Sequence, residues 1–157
     1  MQGSGTFGVE SVLTSVVGEN EKLLIIANGA YGQRMANICQ HAKVNHEIIE
    51  FAENENPSAK VIAEKLDEDL AITHVAMVHS ETTSGILNDI ASVAKVVKER
   101  NKIFIVDAMS SFDGVDIEVG KLGIDFIISS ANKCIQGVPG FSFIIANKQL
   151  LIASKGK

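Results

Sequence analysis

Short apolar runs alternate with segments of helical periodicity along the whole chain, and this alternation is the feature that most limits its fold. The apolar runs predict strands at residues 22–27, 46–51, 73–79, 103–106, 126–129 and 141–146. Apolar residues at helical spacing predict helices at about residues 6–17, 31–42, 57–66, 90–100 and 117–122, and the tail from residue 148 also looks helical. Such alternation favours an α/β fold, with a mostly parallel sheet and helices on both faces.

Composition excludes several classes of protein. The 157 residues are enough for one domain, and 46% hydrophobic with 21% charged residues is typical of a soluble globular protein. A net charge of -5 without a Lys/Arg cluster argues against nucleic-acid binding, and no apolar run reaches the length of a membrane span. Cys39 and Cys134 are too few for a disulfide framework or a zinc site, so we expect a reducing, cytoplasmic setting.

Polar side chains stand at the ends of four predicted strands. These are Asn28, His79, Asp107 and Lys133, and we expect them to converge on one crevice because ligands of such sheets bind beyond the carboxyl ends of the strands. A carboxylate and an amine in this position suit pyridoxal phosphate: the amine forms a Schiff base with the aldehyde, and the carboxylate keeps the ring nitrogen protonated. Taken singly, Asp107 could be a turn or capping residue and Lys133 a surface charge. The apolar sequence around Lys133 nevertheless predicts partial burial.

The sequence Gly3-Ser4-Gly5-Thr6-Phe7-Gly8 precedes the first predicted helix and matches the dinucleotide fingerprint G-x-G-x-x-G. That fingerprint requires a preceding strand and an acidic residue about 20 positions later. We do not expect the two residues given before these glycines to form a strand, and the predicted strand that follows ends in Ala27-Asn28 rather than in an acidic residue. A cup for a single phosphate at the helix N-terminus is therefore favoured. A nucleotide-binding module and a glycine-rich helix start without a ligand remain alternatives.

Two further segments carry candidate ligand contacts. Tyr31, the only tyrosine, follows a strand-end turn and could stack on a flat ring or be a half-buried core aromatic. Arg34, one turn later, fits a structural ion pair as well as a ligand contact. In the segment from His79 to Gly85, a metal site would need further ligands that the sequence does not offer. The hydroxyl groups of this segment fit better as hydrogen-bond donors around a ring oxygen.

Five collinear segments resemble the class V aminotransferases, which have the fold of type I pyridoxal phosphate enzymes. The segments are residues 3–7, 28–34, 79–85, 106–112 and 129–141. The last two are most similar to the subgroup that transfers the amino group of 2-aminoethylphosphonate to pyruvate, giving phosphonoacetaldehyde and L-alanine. The resemblance implies a small-molecule amino donor, pyruvate as acceptor and a homodimer. Another class V activity, such as alanine–glyoxylate transamination, remains an alternative, as does a non-enzymatic nucleotide-binding module built on residues 3–8.

The resemblance also implies a role for each matching residue. Lys133 is the Schiff-base lysine and moves the substrate proton, and Asp107 pairs with the pyridine nitrogen. The implied cofactor contacts are Ser4, Gly5 and Thr6 to the phosphate, Asn132 near it, Tyr31 and Met109 on the two ring faces, and Thr82 to the phenolic oxygen.

Members of the family are considerably longer at both ends. The resemblance therefore implies that residues 1–157 form the pyridoxal phosphate-binding core of the large domain, without the N-terminal segment and the C-terminal small domain. A chain of this extent is expected to bind the cofactor weakly and to transaminate poorly.

Overall fold

The computed structural model describes residues 2–157, in which six strands form one main sheet and two more form a short hairpin. The strands are β1 (Lys22–Ala27), β2 (His46–Glu50), β3 (Ile72–Val78), β4 (Ser80–Glu81), β5 (Ile86–Leu87), β6 (Ile103–Asp107), β7 (Phe126–Ser130) and β8 (Ser142–Ala146). The main sheet has the order β2-β1-β3-β6-β7-β8. All its neighbours pair in parallel except β7 and β8, so the prediction of a mostly parallel sheet is confirmed.

The central strands are continuous apolar runs because both of their faces are covered. In β1, Leu23, Leu24 and Ile25 are all fully buried. The register aligns Ile25 with Ala76 of β3, and Ala76 with Ile105 of β6. Since successive side chains of a strand point to opposite faces, each central strand contributes to two separate layers of core.

Helices cover both faces of the sheet, as predicted. They are α1 (Gly5–Val16), α2 (Ala30–Ala42), α3 (Ala59–Glu68), α4 (Ile90–Glu99), α5 (Val119–Leu122) and α6 (Lys148–Ala153). Leu13 of α1 and Met35 of α2 pack in one layer with Ile25 and Ile105. The other layer contains α3 and α4, whose apolar residues pack with Phe104 of β6. Burying each such side chain contributes roughly 1.5–3 kcal/mol.

The predicted helices and the six predicted strands match the structure to within two residues, and the largest differences are at helix termini. The third helix begins at Ala59 rather than at Pro57, because the Ser58 hydroxyl caps it by accepting from the Val61 N–H group. The last short predicted helix, α5, begins at Val119 rather than at residue 117. The hairpin of β4 and β5 was not predicted, because two-residue strands are too short to show a periodicity.

Candidate active site

A cavity of about 380 Å³ opens at the carboxyl ends of β3, β6 and β7, beside the N-termini of α1 and α2. It lies close to the point where the sheet order reverses, since β1 is flanked by β2 on one side and by β3 on the other. The cavity is lined by Gly3, Ser4, Gly5, Thr6, Val9, Tyr31, Arg34, Met35, Val78, Ser80, Asp107, Met109, Ser110, Ser130, Asn132, Lys133, Pro139 and Gly140.

Asp107, the last residue of β6, is the buried carboxylate of this cavity, with 5% of its surface exposed. Burial raises the pKa of Asp107 to about 6, and the neighbouring Glu81 acts in the same direction. The Met109 N–H group, which donates to Oδ1 over 2.8 Å, lowers the pKa in part, as do the charges of Arg34 and Lys133. A cationic group in the cavity would favour the ionised carboxylate, so Asp107 is suited to bind one.

Residues 3–6 form the wall of the cavity at the start of α1. Gly5 is the first helical residue, and Ser4 caps the helix, its hydroxyl accepting from the Phe7 N–H group over 3.4 Å. A Cβ atom at Gly5 would lie 2.3 Å from Met109 Sδ, so a side chain at position 5 would displace the end of Met109 from its place in the cavity wall. The first N–H groups of a helix have no partner within it and attract anions, which makes this wall suitable for a phosphate.

Lys133 and Asn132 lie in the loop that follows β7, and both reach the cavity. Both residues are exposed, so the prediction that Lys133 is partly buried is wrong. The cause is local: the Gln136 N–H group bonds to the Lys133 carbonyl, and the Gly137 N–H group to the Ala131 carbonyl. This turn holds the loop at the surface and leaves the amine at the mouth of the cavity.

Tyr31 and Arg34, in the first turns of α2, form a further part of the cavity wall. Tyr31 is half-buried, and the Arg34 guanidinium lies 5.0 Å from the centre of its ring. Arg34 Nη1 also donates to the Thr6 hydroxyl over 3.4 Å. The guanidinium thus connects the aromatic wall with the N-terminus of α1 and adds positive charge there.

Three residues singled out from the sequence do not line the cavity. Thr82 is exposed in the turn between β4 and β5. Asn28 is buried and donates to the Asn88 side chain and the Glu55 carbonyl. His79 is buried, one of its ring nitrogens bonds to the Ser111 hydroxyl, and burial lowers its pKa. The expectation that Asn28 and His79 join Asp107 and Lys133 in one crevice is wrong, because both side chains bind within the fold.

Glu81 does not line the cavity but supports the wall that carries Tyr31, a role that the sequence does not reveal. It is fully buried, and its carboxylate accepts the N–H groups of Gly32 at 2.9 Å and Tyr31 at 3.3 Å. From the sequence, the segment that contains Glu81 is considered only as a metal site or as a source of hydroxyl donors. The sequence held one indirect sign of this contact. Gly29, the residue before α2, has no side chain to cap the helix, so another residue has to accept the first N–H groups.

Residues 2–157 offer neither a metal centre nor a membrane-spanning helix. No group of three or more His, Cys, Asp or Glu side chains there is placed to hold a metal ion. The helices in this part of the chain are also too short or too polar to cross a membrane.

Comparison with known proteins places this geometry in a family. The model of the family "Aminotransferase class-V" matches residues 1–155. The 2-aminoethylphosphonate–pyruvate transaminase of Bacteroides fragilis strain YCH46 is 53% identical over 156 residues, which is 99% of this chain and 43% of that protein. That of Vibrio cholerae strain N16961 is 54% identical over 157 residues, 100% of this chain and 43% of the relative. The chain therefore spans less than half the length of these relatives.

Solved structures of aminotransferases have the same fold as this chain. Pyridoxamine–pyruvate aminotransferase from Mesorhizobium loti superposes with a TM-score of 0.93 at 25% identity, over 100% of this chain and 40% of the other. Ureidoglycine–glyoxylate aminotransferase from Bacillus subtilis superposes with a TM-score of 0.92 at 25% identity, over 100% of this chain and 41% of the other. Fold, sequence and family model agree along almost the whole chain, and the chain belongs to the class V aminotransferase family.

Proposed function

We propose that this chain binds pyridoxal phosphate in the described cavity and forms the cofactor-binding part of a 2-aminoethylphosphonate–pyruvate transaminase. Pyridoxal phosphate is the cofactor of the class V family. The observation that carries the proposal for this cavity is that the buried Asp107 carboxylate, the Lys133 amine and the N-terminus of α1 all line it. Each of them suits a different end of the same molecule.

The residues of the cavity fit this cofactor chemically. Asp107 is a buried acid whose pKa is raised, and a protonated ring nitrogen is the cationic partner that would favour its ionised form. Ser4, Gly5 and Thr6, at a helix N-terminus, would hold the phosphate, and Asn132, which also lines the cavity, would approach it. Tyr31 and Met109 offer an aromatic and a thioether wall for the ring faces. Thr82, whose proposed partner is the phenolic oxygen, would have to approach from the exposed hairpin turn.

The bound cofactor supplies a ring that accepts electrons and stabilises negative charge on the substrate carbon. Lys133 would hold the cofactor covalently through its aldehyde, with loss of water, and its amine, when free, would take and return the proton of the substrate carbon. The exposed position of Lys133 at the mouth of the cavity suits this exchange, because the amine must leave and return. Asp107 would pair with the ring nitrogen and keep it protonated.

The choice of substrates rests on the relatives at 53–54% identity, which are named for 2-aminoethylphosphonate and pyruvate. We therefore propose this phosphonate as amino donor and pyruvate as acceptor, and a homodimer as the assembly of the whole protein. Both cysteines, Cys39 and Cys134, are free thiols, which supports a reducing cytoplasm as the setting. Another class V donor is the alternative, since aminotransferases with other substrates share the fold at 25% identity.

Titration of the purified chain with pyridoxal phosphate tests the binding site. We expect a new absorption band, and reduction with borohydride should fix the cofactor on Lys133, as located by peptide mass spectrometry. Lys133→Ala should lose both signals, whereas the control Lys95→Ala, an exposed lysine on α4, should retain them. An unchanged spectrum, or equal labelling of both lysines, contradicts the proposal. Saturable binding of NAD or ATP without binding of pyridoxal phosphate would favour the nucleotide-binding alternative.

A half-reaction tests the substrate. The loaded protein is mixed with 2-aminoethylphosphonate, alanine or serine, and loss of the pyridoxal absorption band is followed over time. We expect 2-aminoethylphosphonate to convert the cofactor fastest, and pyruvate to restore it. Faster conversion by alanine would instead favour the alanine–glyoxylate type of activity.

A further inference from the structure

We propose that Glu81 is a positioning residue that fixes the first turn of α2 and thereby holds Tyr31 at the cavity wall. Its importance for cofactor binding rests on the proposed function. The positional role itself is a property of this chain alone and can be measured without a cofactor.

The first step of the argument is the geometry of the carboxylate. Glu81 is fully buried, and its two oxygens accept the N–H groups of Gly32 and Tyr31 over 2.9 and 3.3 Å. These are among the first N–H groups of α2, which have no acceptor within the helix. Gly29, the residue before the helix, makes no side-chain capping bond. A distant residue therefore provides the cap that the local sequence lacks.

The second step is the close packing of this turn. A Cβ atom at Gly29 would lie 2.8 Å from the Glu81 carboxylate carbon, and one at Gly32 would lie 2.7 Å from Ala27 Cα. The turn is thus confined between the end of β1 and the Glu81 side chain. Glu81 is itself held by the hairpin of β4 and β5, in which it pairs with Ile86. The hairpin and β1 together determine where α2 begins, and hence where Tyr31 lies.

The third step concerns charge. Among residues 2–157 no lysine or arginine forms an ion pair with Glu81, so the N-terminus of α2 is the positive group that its carboxylate contacts. A carboxylate at a helix N-terminus interacts favourably with the helix dipole, most strongly where it is buried. A neutral side chain of the same shape would lose this attraction and loosen the turn that carries Tyr31.

Tyrosine fluorescence makes the role measurable, because the chain has one tyrosine and no tryptophan. Glu81→Gln keeps the shape of the side chain and removes its charge. We expect Tyr31 emission to become more accessible to acrylamide, and the Tyr31 and Gly32 amides to exchange about tenfold faster after loss of a charge-assisted bond. Glu81→Asp, which keeps the charge but shortens the side chain, should give a smaller change.

Asp89→Asn is the matched control. Asp89 caps α4 through the Ser92 N–H group over 3.0 Å and does not line the cavity, so its replacement should destabilise α4 without changing Tyr31 emission or quenching. Glu81→Gln that matches the parent in quenching and amide exchange overturns the proposal. If Glu81→Gln does not fold, amide exchange in the parent protein tests the proposal instead. Rapid exchange of the Tyr31 and Gly32 amides in the parent, without protection, also overturns the proposal.

Cofactor binding is then measured separately with the same proteins. If the parent and Asp89→Asn bind pyridoxal phosphate, we expect Glu81→Gln to bind it about tenfold more weakly, again from loss of one charge-assisted bond. Absence of binding in all three proteins contradicts the proposed function. The positioning role of Glu81 is then tested by the fluorescence and exchange measurements alone.

Discussion

The thioether of Met109 occupies the space that a side chain on Gly5 would need, since a Cβ atom at position 5 would lie 2.3 Å from Sδ and 2.6 Å from Cε. Met109 follows β6 by two residues, and its N–H group bonds to Asp107. One side chain therefore links the start of α1 to the end of β6. Met109 thus packs against the helix start that suits a phosphate and is bonded to the carboxylate that suits a cation, so the relative position of these two parts of the cavity depends on it.

Gly5→Ala is expected to weaken cofactor binding more than it changes folding. The clashing atoms belong to the flexible end of Met109, which can swing away towards the cavity. The free energy of unfolding should change by about 1 kcal/mol or less, since alanine favours a helix over glycine. We expect pyridoxal phosphate to bind about tenfold more weakly, which corresponds to a loss of about 1.4 kcal/mol. Titration of both proteins with the cofactor measures this.

A double-mutant cycle with Met109→Ala assigns the effect. In the Met109→Ala background the added methyl group has no thioether to displace, so Gly5→Ala should cause little further loss of affinity. An equal loss in both backgrounds would show that Gly5 acts independently of Met109.

Asp107→Asn should change how the stability of the cofactor-free protein depends on pH. The folded state keeps the Asp107 proton up to a pKa of about 6, whereas the ordinary value is 3.8. Between these values the native state binds more protons than the unfolded chain, so this contribution to stability is present at low pH and lost as pH rises through 6. At neutral pH the ionised carboxylate destabilises the fold by up to about 3 kcal/mol, and Asp107→Asn should remove that penalty.

Urea unfolding of both proteins between about pH 4 and 7 checks this prediction. The raw curve of the parent also contains His74, whose pKa burial lowers from 6.5 to about 4 and whose contribution has the opposite sign. The difference between the two proteins isolates Asp107. We expect Asp107→Asn to be more stable only at the upper end of the range, and a constant difference across the range contradicts the raised pKa.

Much of the fold follows from local sequence, because buried parallel strands are continuous apolar runs and the helices show their period. Asp107 was identifiable because a polar residue directly follows such a run. Contacts between distant residues were not predictable in this way. The Glu81 carboxylate meets Gly32 across 49 residues, and Asn28 meets Asn88 across 60. The exposure of Lys133 likewise depends on a turn formed after the strand, which apolar neighbours in the sequence do not reveal.

Lys98→Met is expected to destabilise the fold at the end of the sheet opposite the cavity. Lys98 Nζ donates to Asp125 Oδ2 over 2.5 Å, and Asp125 is 5% exposed and also accepts the Phe104 N–H group. Without the lysine a buried carboxylate remains without its cation, and we expect a loss of about 2 kcal/mol in the free energy of unfolding. Lys60→Met is the control, because Lys60 and Glu64 form an exposed pair 3.8 Å apart, worth about 0.5 kcal/mol or less. Equal losses in the two variants would contradict the assigned role of Asp125.

The two cysteines should differ sharply in reactivity and report on the cavity. Cys39 is fully buried, and burial raises its pKa to about 12, so alkylation should require unfolding. Cys134 is half-buried beside Lys133, and its thiol donates to the carbonyl of Ser110, a cavity residue. We expect native labelling with iodoacetamide at Cys134 alone, slowed when pyridoxal phosphate is bound. Peptide mass spectrometry measures both rates. Labelling of Cys39 as fast as Cys134 would contradict the packing of α2. If the cofactor does not change the labelling rate of Cys134, it binds away from the loop that carries Lys133.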